Sequence, residues 1–335
     1  MNTILIGGAG FIGSHLGPAF RKAGHTVTAI DSLMVNNLYA EQEFSPLHRE
    51  ILQRRMAGLN SGDLIVADAR EYTLLSPICK AIKPDIIIHL AAVAHQDRAQ
   101  KSAHSTFDHS LRTLENALDI AINLKIKRFI YFSSSTVYGD WPASGVVDEN
   151  TPCKPKGIYG ALKLAGEDIV NAYAKVFDLD TVIIRPSALY GPGCVSGRVI
   201  QRFIEQASAG QELTAGGDRL DFTYIDDLVA GVLLAAQEPA ARGQTYNLTY
   251  GEGRSILEAA RLVQRRFQVT IKRAEDNSGF AKRGALSILK ARRELSYYPN
   301  WSLERGIESY INWYKENGYA EGNASSPLLR QAQGQ

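Results

Sequence analysis

Apolar residues in the first half of the chain fall in short, almost unbroken runs. Residues 3–6, 26–30, 64–67, 86–90 and 129–133 are apolar at nearly every position. Strands buried on one face alternate apolar and polar side chains; strands buried on both faces read like these runs. Between them lie stretches with helical spacing, at 14–23, 71–82, 106–124 and 158–176. Pro77 predicts an interruption in the second of these, because proline lacks the N–H that a helix interior needs. Strand and helix alternate, and that order predicts an α/β fold built on a doubly wound parallel sheet.

The pattern changes in two places. Residues 38–62 are polar and charged, with Arg49, Glu50, Arg54 and Arg55, and predict a helical insertion with a solvated face. Beyond residue 185 the elements mix more loosely, with turns at Gly191-Pro192-Gly193 and Gly216-Gly217. Three segments are expected: a nucleotide-binding domain over 1–185, a smaller mixed α/β substrate domain over 186–318 with some return of chain to the first, and a flexible tail over 319–335.

Composition narrows the partners. Lys plus Arg number 37 against 35 Asp plus Glu, so no excess charge favours nucleic acid or an anionic membrane. No apolar run nears the roughly 20 residues needed to cross a bilayer. Cys79, Cys153 and Cys194 are scattered, without the paired spacings of a disulfide framework or a zinc site. The expectation is a reduced, cytoplasmic protein with no metal.

The first chemical signal is Gly8-Ala9-Gly10-Phe11-Ile12-Gly13, preceded by Gly7, between an apolar strand and a helix. One glycine permits a tight turn, the next lets the backbone approach a pyrophosphate, and Gly13 lets the helix pack on the strand. The helix N-terminus then offers free N–H groups to the phosphates. Asp31 closes the second run, where a carboxylate accepts the adenosine ribose hydroxyls and repels a 2′-phosphate. Ser32-Leu33-Met34 follow, with no cation just beyond, so NAD is favoured over NADP. This is the signature of a Rossmann domain. Asp68 and Ala69 at the third strand end, and Leu90, Ala91 and Ala92 at the fourth, are placed to line the same cofactor. His89 alone reads as a structural histidine.

The second signal is a cluster of hydroxyls followed by a tyrosine and a lysine. Ser133, Ser134, Ser135 and Thr136 end the fifth strand, and Tyr159 and Lys163 share one helix face four residues apart. A phenol with a pKa of about 10 is a poor base at neutral pH. A nearby ammonium is expected to lower it, and a serine hydroxyl can bond the substrate oxygen. Together they form an acid–base unit that removes a proton from an alcohol while hydride leaves its carbon.

On these residues, with Arg185-Pro186, Tyr190-Gly191-Pro192 and 221–227, the chain resembles the extended short-chain dehydrogenase/reductases of the NAD-dependent epimerase/dehydratase family, over roughly 3–317. The resemblance implies Tyr159 as base, Lys163 as its partner and a nicotinamide-ribose ligand, Ser134 as the catalytic hydroxyl, and Ser133 and Pro186 beside NAD. Dehydrating relatives carry Asp-Glu directly after the serine; Ser135-Thr136 stand here and look like the epimerase pattern. The glutamate of decarboxylating relatives is likewise replaced by Thr136.

Three positions depart from the family. Ala188 stands where an asparagine usually contacts the nucleotide diphosphate. His109-Ser110-Leu111-Arg112-Thr113 replaces an Asn-Val-x-Gly-Thr run, and Leu220-Asp221-Phe222 replaces Arg-Asp-Phe. Arg219 or Arg283 can take over a phosphate or form surface salt bridges. His95, His104 and His109 fall in the region that faces the sugar in this family, with His95 a candidate substrate contact. The implied function is a nucleotide-sugar 4-epimerase working as a homodimer through the 106–124 and 159–176 helices. The alternative is a C4 dehydrogenase acting on a hexose or heptose and releasing the 4-keto sugar. A decarboxylase or dehydratase, or a non-catalytic NAD-binding protein, ranks lower.

Overall fold

The computed structural model describes residues 1–319 apart from 36, 38–43, 60–62, 94–101, 142–146, 217–218 and 275–282. Seven strands form one parallel sheet. They are β1 (Asn2–Ile6), β2 (Thr26–Asp31), β3 (Leu64–Val66), β4 (Ile86–His89), β5 (Arg128–Phe132), β6 (Thr181–Arg185) and a late strand, Gln244–Asn247. Their spatial order is Gln244–Asn247, β6, β5, β4, β1, β2, β3, and every neighbouring pair is parallel. The last strand comes from the C-terminal half and closes the edge beside β6. β4, β5 and β6 are buried at every position, because helices cover both faces.

The winding reverses between β1 and β4. A crevice opens there at the carboxyl ends of the strands, where α/β sheets place their ligands. Helix α1 (Gly13–Lys22) starts at its mouth. α2 (Pro46–Ala57) lies in the charged insertion, and Ser45 caps it by accepting from the His48 N–H at 3.2 Å. Its exposed face is polar as expected, but Arg55 is buried, contrary to a wholly solvated reading. α3 (Tyr72–Ile82) runs through Pro77 without a break. Leu75 and Cys79, buried on either side of the proline, hold both turns against the core.

The expected 106–124 helix is not one regular helix. Ala103–Phe107 is α-helical, Asp108–Arg112 is a π turn, and Thr113–Asn123 is α-helical again. The Thr113 hydroxyl donates to the His109 carbonyl at 2.9 Å, and such back-bonding loosens the normal ladder.

The C-terminal half packs over the strand ends. Short ladders pair Leu189–Tyr190 with Thr223–Tyr224, Leu213–Ala215 with Ile271–Arg273, and Arg219–Asp221 with Gly253–Ser255. Helices Val199–Ser208, Ile225–Gln237, Ile256–Gln264 and Leu303–Glu316 surround them. Asp221 is a fully buried clamp. It accepts the Thr249 hydroxyl at 3.0 Å and the N–H groups of Gly251 at 3.2 Å and Leu286 at 3.0 Å. The segment that carries Arg283 is fixed this way. Among the described residues, no helix is long and apolar enough to cross a membrane.

The helix Ile158–Phe177 crosses the sheet at unusually close range. A methyl group on Gly166 would lie 2.1 Å from the Tyr131 hydroxyl, and one on Gly160 would lie 2.9 Å from the Thr136 carbonyl. Both glycines are therefore packing requirements. Gly166→Ala is expected to destabilise the protein by about 2–3 kcal/mol through overpacking. Urea unfolding checks this; an unchanged midpoint would mean the helix can move away freely.

Candidate active site

The glycine-rich turn is built by backbone geometry. Gly7 has φ +80°, and a methyl group there would sit 2.7 Å from the Ala91 N. The ends of β1 and β4 thus meet with no room for a side chain. The Gly7 N–H donates to the Ile30 carbonyl at 2.8 Å, and the Gly10 N–H folds back onto the Gly7 carbonyl at 3.2 Å. A methyl group on Gly13 would lie 2.3 Å from the Gly8 carbonyl, so α1 begins directly against the turn.

A cleft follows, lined by Gly7, Gly10, Phe11, Ile12, Gly13, Asp31, Asp68, Ala69, Leu90, Ala91 and Ala92. Asp31 accepts the N–H groups of Ala9 at 3.0 Å and Leu33 at 2.8 Å. Burial raises its carboxyl above the ordinary range, and those two bonds oppose the rise. Burial also works against the Asp68 charge, but Arg70, 2.6 Å away, wins and holds the carboxyl low. A glycine cradle at a helix N-terminus with a carboxylate at the next strand end fits a dinucleotide: pyrophosphate on the turn, adenosine ribose at Asp31.

The opposite wall comes from the loop before the Val199–Ser208 helix, through Val195, Ser196 and Arg198. His109 and Thr113 of the π turn also line the cleft. His109 therefore stands beside Asp68 and the cofactor groove. His104 points to solvent with its side chain 93% exposed, so it does not join the site. His95 lies outside the described residues. His89 is buried, and its Nε2–H donates to the Thr113 hydroxyl at 3.0 Å, since that hydroxyl's own proton goes to the His109 carbonyl. Burial, then the Lys163 charge, pushes His89 down to about 3, so it stays neutral and structural.

The hydroxyl cluster forms a single tight turn, Ser135–Tyr138, capped by Ser134. Ser134 Oγ accepts the Thr136 N–H at 3.2 Å and the Thr136 hydroxyl at 3.0 Å. With both acceptor sites used, its own proton is free to be donated toward Tyr159, whose pKa it lowers against burial. Ser135 is buried, and its N–H donates to the Pro186 carbonyl at 2.9 Å. Ser133 is turned away from the cleft: its hydroxyl donates to Glu167. The Pro186 contact and the Ser133 contact are both structural ties.

Lys163 is buried 5.9 Å from the centre of the Tyr159 ring, and its Nζ donates to the Phe132 carbonyl at 2.6 Å. Burial pulls its pKa down to about 7, against the pull of Glu167. The expected lowering of Tyr159 by this ammonium is not what the geometry gives. Burial raises the Tyr159 pKa, and the charges opposing that rise are Arg198 and Arg283, with the Ser134 hydrogen bond between them in strength. The two arginines and the serine only partly offset burial, so Tyr159 stays above its ordinary value.

Of the two arginines considered for a phosphate, Arg283 is thus the one whose charge reaches Tyr159. Arg219 is exposed at the sheet edge and donates to the Gly253 carbonyl, outside the cleft. Ala188 has φ +31°, in the left-handed region that an asparagine tolerates better than an alanine. Arg198 and Glu167 were missed in the sequence. Glu167 had a readable signal, lying one turn beyond Lys163 on the same helix face. Arg198 follows a loop and had none.

Glu167 forms a buried network under the site. Arg185 reaches it through Nε at 2.9 Å and Nη2 at 2.5 Å, and Arg185 Nη1 donates to the Tyr138 hydroxyl at 2.9 Å. Tyr138 in turn donates to Asn247 at 2.8 Å.

The family model for the NAD dependent epimerase/dehydratase family matches residues 3–249. The chain belongs to this family. Its cofactor is NAD, which the cleft fits. Among relatives of this epimerase/dehydratase chain is the uncharacterized UDP-glucose epimerase YtcB of Bacillus subtilis (strain 168), 29% identical, with 93% of this chain and 97% of that protein covered. The dTDP-glucose 4,6-dehydratase of Streptomyces niveus is 26% identical over 95% of this chain and 94% of its own. The crystal structure of the UDP-glucuronic acid 4-epimerase of Bacillus cereus, in complex with UDP-glucuronic acid and NAD, superposes with a TM-score of 0.84. It is 28% identical, with 95% of this chain and 100% of that chain covered.

Removing one partner from a buried ion pair strands the other charge. Arg185→Met is expected to cost about 3–5 kcal/mol, more than Glu167→Gln together with Arg185→Met in the double variant. Chemical denaturation of the three variants checks this; additive losses would contradict a coupled pair.

Proposed function

We propose that this protein is an NAD-dependent nucleotide-sugar 4-epimerase that oxidises C4 transiently and reduces it again within one binding event. The observation that carries the reading is the Thr136 hydroxyl donating onto Ser134 at 3.0 Å. A relative that eliminates water needs an acidic pair after the serine. Ser135-Thr136 occupy those places, one buried and the other feeding the serine, so the turn offers proton relay and no carboxylate. Relatives named for UDP-glucose and UDP-glucuronic acid epimerisation support the substrate class, a nucleoside diphosphate sugar.

The residue chemistry follows from the geometry. Tyr159 takes the proton of the C4 hydroxyl. Ser134 donates to the same oxygen, with its proton steered by Thr136 behind it. Arg198 and Arg283 favour the phenolate against burial. NAD, when bound, supplies hydride acceptance at C4 and its return. The 4-keto sugar turns over in the site so that the hydride returns to its other face, and Tyr159 gives the proton back to the C4 oxygen. The buried Lys163 fixes the helix to β5 through the Phe132 carbonyl, which holds Tyr159 in register.

The homodimer is also a proposal. Phe107, Val176 and Phe177 are 47%, 70% and 53% exposed on two helices flanking the sheet, which supports a second copy packing there. Val176→Glu is expected to shift the mass in light scattering to one chain; an unchanged mass would place the contact elsewhere.

The decisive test of function is NMR of the product. UDP-glucuronic acid and UDP-glucose are incubated with the NAD-loaded protein. A C4 epimer is expected with at least one of them, with no net NADH. Tyr159→Phe is expected to lose about 10²–10⁴-fold in kcat while still binding NAD. A released ketone with stoichiometric NADH and no epimer would replace this reading with the C4 dehydrogenase.

A further inference from the structure

Helix α2 places one arginine where solvent does not reach. Arg54 is exposed and pairs with Glu50 at 2.8 Å, as a surface cation does. Arg55, the next residue, is only 8% exposed and lines the dinucleotide cleft. Its Nη1 donates to the Ala9 carbonyl at 3.4 Å, inside the glycine-rich turn. Its Nη2 donates to the Gly193 carbonyl, on the far wall. One guanidinium thus spans the groove between the cofactor turn and the 191–197 loop.

A second tie acts beside it. His15, on α1, donates from Nε2 to the Pro192 carbonyl at 2.9 Å. Two successive carbonyls of the loop are therefore held from the cofactor side. The same loop contributes Val195 and Ser196 to the cleft wall, and Arg198 follows directly. The Ala9 carbonyl also accepts from the Asn37 amide at 3.0 Å, and the Ala9 N–H donates to Asp31, so the turn is held at both ends.

One donor remains. Arg55 Nε is buried with no hydrogen-bond partner among the described residues. That donor faces protein atoms and not the open cleft, so the two Nη bonds carry the tie.

We propose that Arg55 is a cofactor-latching residue: its two Nη groups tie the glycine-rich turn to the 191–197 loop across the cleft. Its role is positioning, since it holds the loop down and stands apart from the reacting carbon. NAD leaves only when the bridge opens. This proposal rests on NAD binding and is independent of whether the sugar is epimerised or oxidised.

The test measures cofactor release. Protein is loaded with NADH and chased with excess NAD, and the decay of NADH fluorescence gives the dissociation rate. Hydrogen exchange of residues 191–198 is followed in the loaded state. Arg55→Met is expected to release NADH at least tenfold faster and to lose protection at 191–198, with protection of the central sheet unchanged. Arg55→Lys keeps the charge but has a single donor head in place of the two Nη groups, so its rate is expected to fall between the two. A folded Arg55→Met that releases NADH at the wild-type rate overturns the proposal. If Arg55→Met does not fold, Arg55→Lys carries the test: wild-type release with wild-type protection at 191–198 overturns it equally. Product formation is not a readout here, so failure of the epimerase reading would leave the outcome intact.

Discussion

The buried pair of Glu167 and Arg185 is the tie on which the geometry of the site depends. Glu167 sits one turn beyond Lys163, on the helix that carries the candidate base. Arg185 is at the end of β6. Through this pair, Ser133 at the end of β5, Tyr138 at the end of the hydroxyl turn and Asn247 on the last strand are all joined. Five segments of the chain thus share one hydrogen-bonded network beneath the reacting groups. The close approaches at Gly160 and Gly166 add a steric limit. The helix can then hold Tyr159 beside Ser134 in one position.

Electrostatics at this site is a contest between burial and charge. Burial raises Tyr159 and lowers Lys163, so each moves toward its neutral form. A neutral phenol in a dry site is a poor base. Arg198 and Arg283 oppose this from the C-terminal half without reversing it. The two halves of the protein therefore divide the work. The candidate base lies in the first half, and the two charges that oppose its burial come from the second.

The sequence was most readable where the chemistry is local. The glycine turn, Asp31, the strand runs and the Tyr159/Lys163 spacing each lie within one element or one βα unit, and the fold follows their order. Reading failed where partners are distant. Ser133 looked like a cofactor contact but turns to Glu167, 34 residues on. Arg55 looked like one more solvated charge because nothing nearby in sequence shows that Gly193 will face it. Pro77 looked like a break, but packing of Leu75 and Cys79 outweighs one lost hydrogen bond. The π turn at 108–112 had no periodic signal, since it depends on where the Thr113 hydroxyl finds its acceptor.

The Ser135-Thr136 pair connects this architecture to an outcome. With a hydroxyl where a carboxylate would drive elimination, the site is suited to oxidising and reducing a single carbon. The most direct measurement is the fate of the hydrogen at that carbon. A nucleotide sugar carrying deuterium at C4 is turned over in ordinary water, and the product is examined by NMR and mass spectrometry. The account predicts a C4 epimer that keeps its deuterium at C4. An epimer carrying solvent hydrogen there would contradict internal return and with it the proposed reaction.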